Sequence, residues 1–179
     1  MVKESQFWCS CGKSATQLAP RGEGDNLTII LISLGQALQI MALGEKLFEE
    51  KGQVVGFKVT KVHPIEGMTM ELSATIDLKG FGKFPSGKEM GSGVMVRYPH
   101  GVVDGSFHGN LITAEGDQIM WWAHEKGKVG QDGKIRGLAT MSAFTNSQKL
   151  SWINNLIMAL ETEFNPETQQ FKTTGYEWK

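Results

Sequence analysis

From residue 68 to residue 79 the chain reads MTMELSATIDLK, so Met68, Met70, Leu72, Ala74, Ile76 and Leu78 alternate with Thr69, Glu71, Ser73, Thr75, Asp77 and Lys79. Side chains on a strand point to opposite faces with a period of two, which predicts a β-strand with one dry face and one wet face. Less regular versions recur towards the C-terminus between Gly-rich turns. They predict strands over residues 46–62, 68–79 (running on to Phe84), 89–98, 102–113, 117–126, 134–145, 156–164 and 169–178. Gly52 and Gly56 mark bulges or bends in the first of these. Pro64, Gly67, Pro85, Gly87, Gly101, Gly116, Asp132-Gly133 and Pro166 supply the turns. Asn146-Ser147 can cap a short helix over residues 147–155, whose Leu150 and Ile153 share a face.

These strands follow one another in hairpin order, and eight antiparallel strands in a meander close naturally into a barrel. A flattened sandwich is the alternative. Glycines inside the strands, among them Gly91, Gly93, Gly105, Gly109 and Gly137, suit the sharp bends of a small closed barrel.

Before the first strand lies a different kind of sequence. Residues 26–44, NLTIILISLGQALQIMALG, carry no charge and come close to the length that spans a bilayer. Thr28, Ser33, Gln36, Gln39 and the lack of basic or aromatic flanks argue against spanning. Cover for the barrel or an oligomer interface is the expectation, with helix, strand and membrane association left open. The chain thus divides into an N-terminal arm with an apolar segment, residues 1–44, and a barrel domain, residues 45–179.

Composition narrows the function classes. The 18 Lys and Arg balance 19 Asp and Glu without clustering, for a net charge of −1, so no nucleic-acid partner is expected. At 40% hydrophobic residues the chain can build a real core. Cys9 and Cys11 cannot staple a barrel, and the N-terminus lacks the basic-then-apolar order of a secretory signal, so a cytoplasmic protein is expected.

The layout resembles the calycin-like barrels, specifically the allene-oxide-cyclase-like and lipocalin-like group. The likeness is carried by EKLFEEKGQVVGFKV, GFGKFPSGKEMGSG, DGSFHGN, GDQIMWWAHEKGKV, IRGLATMSAFTNSQKLSWIN and the closing GYEWK, and it covers residues 46–179. It implies an all-β, eight-stranded antiparallel calycin-like barrel with one short helix before the seventh strand; the N-terminal arm that precedes the barrel is not part of the likeness. It also implies an interior that holds a small, often apolar molecule. None of the catalytic residues of the characterised cyclases maps onto a position of this chain.

Candidate chemistry is sparse. Residues 82–88 nearly spell a phosphate-binding loop, but Glu89 stands where Ser or Thr must ligate magnesium, so a hairpin turn is expected. Cys9 and Cys11 make one pair where structural zinc wants four ligands, and His100, His108 and His124 find no third ligand; neither metal nor cofactor is expected. One indole of Trp121-Trp122 must point inward and the other outward. Glu161 is expected on the wet face. The expected ligand-binding set is Met95, Phe107, His108, Trp122, His124, Met141, Phe144 and Met158. The expected function is a lipocalin-like barrel that binds a small apolar or amphipathic molecule. The alternatives are a cyclase or isomerase on a flexible apolar substrate, or an accessory subunit docking through residues 27–43. Self-association is expected, with no stoichiometry.

Overall fold

The alternation of residues 68–79 is realised as a strand that buries Met70, Ile76 and Leu78 while Glu71, Asp77 and Lys79 stay exposed. The computed structural model describes residues 43–179. Cys9, Cys11 and the expectations for segment 27–43, apart from its last residue, lie outside the described residues.

The chain runs through β1 (Leu43–His63), β2 (Gly67–Gly80), β3 (Gly87–Arg97), β4 (Val102–Thr113), β5 (Gln118–Val129) and β6 (Ile135–Phe144). A 3-10 helix (Gln148–Asn155) leads into β7 (Ile157–Asn165) and β8 (Gln170–Trp178). Each strand pairs antiparallel with the next, and β8 returns to β1, so the sheet closes without a free edge. β1 is the longest, at 21 residues, and bends at register shifts between Val54 and Gly56 and between Val59 and Lys61. Gly56 therefore sits at a bulge. Gly52 instead stays in register with both Ile76 and Phe171 and serves a different purpose.

That purpose is room. A small barrel has a narrow interior, and an aromatic ring fits only where the strand beside it gives up its own side chain. A Cβ at Gly52 would lie 2.0 Å from the Phe171 ring, and one at Gly175 would lie 2.4 Å from the ring of fully buried Phe48. Phe107 likewise lies against Gly93 and Gly105, and Trp121 against Gly109, where a Cβ would stand 2.5 Å from the indole.

One end of the barrel is capped. β2 stops at Gly80, and residues 81–86 turn Phe84 inward, which corrects the expected run of that strand to Phe84. The Phe84 ring lies 5.0 Å from that of Phe48 and edge-on to Trp152 at 6.1 Å. Leu150 and Ile153 of the 3-10 helix are buried in the same cluster. Ser147 is the helix N-cap but its hydroxyl makes no capping bond. The tie comes from Asn154, whose side chain accepts from Thr145 N at 2.8 Å and donates to Thr145 O at 3.1 Å. Met70, Met95, Val103 and Ile135 form a second cluster.

The outer wall is less wet than alternation implies. Met90, Met120, Trp122, Phe144 and Ile157 are exposed there.

Gly175→Ala is expected to lower stability in urea unfolding by about 1–3 kcal/mol, the usual cost of overpacking. At Gly56 the nearest atom to an added Cβ is the Ser73 side chain, at 3.3 Å, so Gly56→Ala should cost clearly less.

Candidate functional site

Strand parity decides which polar side chains enter the barrel. Glu50 shares its face of β1 with Phe48 and Val54, both buried; Glu89 shares its face of β3 with Met95; Glu125 follows Trp121 and Ala123 on β5. All these carboxyls therefore point inward. Glu50 is 8% exposed and Glu89 only 3%.

A carboxylate taken out of water loses its hydration, so burial favours the neutral acid. This raises Glu50 to about 7, with the neighbouring Thr173 hydroxyl pulling the other way. Glu89 is pushed up to about 9, first by burial and then by the charge of Glu50, against a smaller opposing pull from Trp121. Trp121 thus favours the ionised form of Glu89, yet the pair completes no hydrogen bond of good geometry. Among the described residues, both Glu89 oxygens and Trp121 Nε1 find no hydrogen-bond partner. Burial also raises Glu125, opposed by the Thr162 hydroxyl, which donates to its Oε1 at 2.5 Å. That bond reaches across β6 because Gly137 leaves the space: a Cβ there would lie 2.6 Å from the same oxygen.

Glu50, Glu125, Trp121, Thr162 and Thr173 face a cavity of about 130 Å³, whose remaining wall includes Ala74, Ile76, Met95, Phe107, Met141, Leu160 and Phe171. Among the described residues, no Lys, Arg or His lines it. A cavity on the order of 150 Å³ accepts a benzene-sized guest. Polar groups inside an apolar wall of this size can orient a small molecule and move a proton, which is as much as the arrangement allows.

The sequence-predicted residues separate. Met95, Phe107 and Met141 line the cavity, and Met158 is buried in the adjoining core. His108, Trp122, His124 and Phe144 lie on the outer wall, which corrects their grouping with the interior: their strand parity is opposite to that of the buried positions. His108 Nε2 lies 3.2 Å from Ser92 Oγ, and His124 Nδ1 lies 3.0 Å from the Gly105 carbonyl. Trp121 is the inward indole. Glu161 is exposed and paired loosely with Tyr176 Oη at 3.5 Å. Arg136 stays outside, bound to Asp132 and Glu163, and its hydrogen bonds hold the Asp132 carboxyl down at about 2. Among the described residues no three His, Cys, Asp or Glu side chains converge in a metal-binding group.

Sequence reasoning missed Glu50, Glu89 and Glu125. The available signal was a charge at an inward-parity position, flanked at i±2 by glycine or an apolar residue.

No protein-family model matches the chain, and no curated protein matches it. Solved structures do. A protein of unknown function from Clostridium acetobutylicum is 17% identical with a TM-score of 0.64, over 75% of this chain and 98% of that one. A beta-barrel like protein from Acinetobacter baumannii is 14% identical with a TM-score of 0.66, over 75% and 94%. An enzyme from Penicillium herquei is 17% identical with a TM-score of 0.52, over 74% and 92%. At these identities the likeness is one of fold.

The raised carboxyls make stability depend on pH. The folded state keeps protons on Glu50 and Glu89 that an unfolded chain releases near the ordinary value of 4.5. Their contribution is complete below that value and is lost as pH rises through about 7 and about 9. The melting temperature is therefore expected to fall from pH 5 to pH 9, and Glu89→Gln, which fixes the neutral shape, should remove most of that slope.

Proposed function

We propose that this protein binds a small, largely apolar molecule inside its barrel, as the lipocalin-like proteins do, and orients it through one carbonyl or hydroxyl group. The observation that carries this reading is the cavity itself, about 130 Å³ behind a largely apolar wall, with the Glu50 and Glu125 carboxyls and the Thr162 and Thr173 hydroxyls as the polar groups that orient a guest. Apolar burial at about 25 cal/mol per Å² supplies most of the affinity. An anionic ligand would meet Glu50 and Glu125 with no cation beside them.

The second reading, an isomerase or cyclase, is favoured by one specific observation. Glu50 stands at about 7, where a carboxyl can both take and return a proton near neutral pH. The same architecture also occurs in a protein described as an enzyme, from Penicillium herquei.

Saturation-transfer NMR tests the binding reading with cyclohexanone, phenol and benzoate as probes of similar size. Cyclohexanone and phenol are expected to bind and benzoate is not. Ala74→Leu, which fills the cavity, should abolish binding while the circular dichroism spectrum stays unchanged. Equal binding of all probes to wild type and to Ala74→Leu would place the contact elsewhere and defeat the proposal.

A further inference from the structure

We propose that the cavity prefers a small apolar guest carrying a protonated amine over a neutral one of the same size, with the ammonium group set against the Glu50 and Glu125 carboxyls. This rests on the reading that the cavity binds a small, largely apolar molecule, and it deepens that reading by naming the charge of the guest.

The polar atoms that the wall offers are one-sided. Glu50 and Glu125 contribute carboxyl oxygens, and Thr162 and Thr173 contribute hydroxyls. Trp121 borders the same space, but its indole N–H is closed off and directed towards Glu89. A carboxylate only accepts hydrogen bonds, and the Thr162 hydroxyl, whose proton goes to Glu125, can otherwise only accept. An ammonium carries three donors and no acceptor, so it complements this wall; a carbonyl needs a carboxyl that has kept its proton.

Glu50 is the side chain that most lacks a partner. It is nine-tenths buried and faces the cavity, and among the described residues it completes no hydrogen bond of good geometry, although the Thr173 hydroxyl lies beside it. The charged groups around it are all acidic: Glu89 from β3, which does not reach the cavity, Glu125 from β5 and Glu163 from β7. Glu163 stands at the edge, where Lys134 and Arg136 already pair with it. β2, β4, β6 and β8 present apolar side chains or hydroxyls. Glu50 and Glu125 therefore face one small space with no cation between them.

The fold already bears the cost of taking these acids out of water. A cationic guest gives up only its own hydration on entry and gains charge-assisted hydrogen bonds in return. Its arrival favours the ionised form of Glu50. Below about pH 7 the carboxyl proton then leaves to solvent while the amine keeps its own, so binding releases a proton.

The test uses the full chain with cyclohexylamine and cyclohexanol, which share a ring and differ in the polar group. Titration calorimetry at pH 8 is expected to give the amine a Kd about 10-fold below that of the alcohol, the effect of one charge-assisted hydrogen bond. At pH 6 the amine should bind more weakly, and its apparent enthalpy should vary with the ionisation enthalpy of the buffer, which reports the released proton. The alcohol should show neither effect. Glu50→Gln, which keeps the shape of the protonated acid, should bring the two affinities together and remove the buffer dependence, and Glu125→Gln should narrow the gap. Equal affinity for the two probes, or tighter binding of the alcohol, overturns the charge preference and leaves the binding reading standing. An undiminished preference in both variants overturns it as well. Binding of neither probe defeats the underlying reading instead.

Discussion

An eight-stranded barrel has too little interior for a full side chain at every inward position, and this chain meets the constraint by setting rings against glycines. Phe48 occupies the space above Gly175, Phe171 that above Gly52, and Trp121 that above Gly109. Each pairing joins an aromatic residue to a neighbouring part of the wall that offers only backbone. The void that remains is lined by Phe107, Trp121 and Phe171 and by Met95 and Ile135 of the second core cluster. The cavity is a consequence of how the barrel closes.

The carboxyls fit the same geometry. Gly137 makes the slot through which Glu125 reaches Thr162, and the glycines beneath Trp121 let its indole reach towards Glu89. Acids placed in such slots cannot be hydrated as they are at the surface, so their chemistry differs from that of Glu161 or Glu163 on the outer wall. Ionising a group like Glu89 here works against both burial and the charge of Glu50.

Most of the architecture was legible in the sequence because alternation and turn chemistry are local. β4 is found over the residues its pattern predicts, and the helix before β7 carries Leu150 and Ile153 inward. The site was less legible. The sequence places residues on faces but does not say which face closes inward where both carry apolar groups, as on β5, where Trp121 and Trp122 compete. The outer Met120 and Trp122 and the outer Phe144 on β6 mimic a core, and that is why His124 and its neighbours were grouped with the interior. Parity anchored on the unambiguous β2 resolves them through the register: Met70 opposes Met95, Met95 opposes Gly105, and Gly105 opposes Glu125. Reading that line around the wall would have put Glu125 inside and His124 outside.

The bond between Thr162 and Glu125 spans a strand that contributes no side chain between them. β5 and β7 are thereby latched to one another over the top of β6. This one side-chain bond adds to the backbone ladders that already join β6 to β5 and to β7, and it ties together two strands that share no ladder of their own.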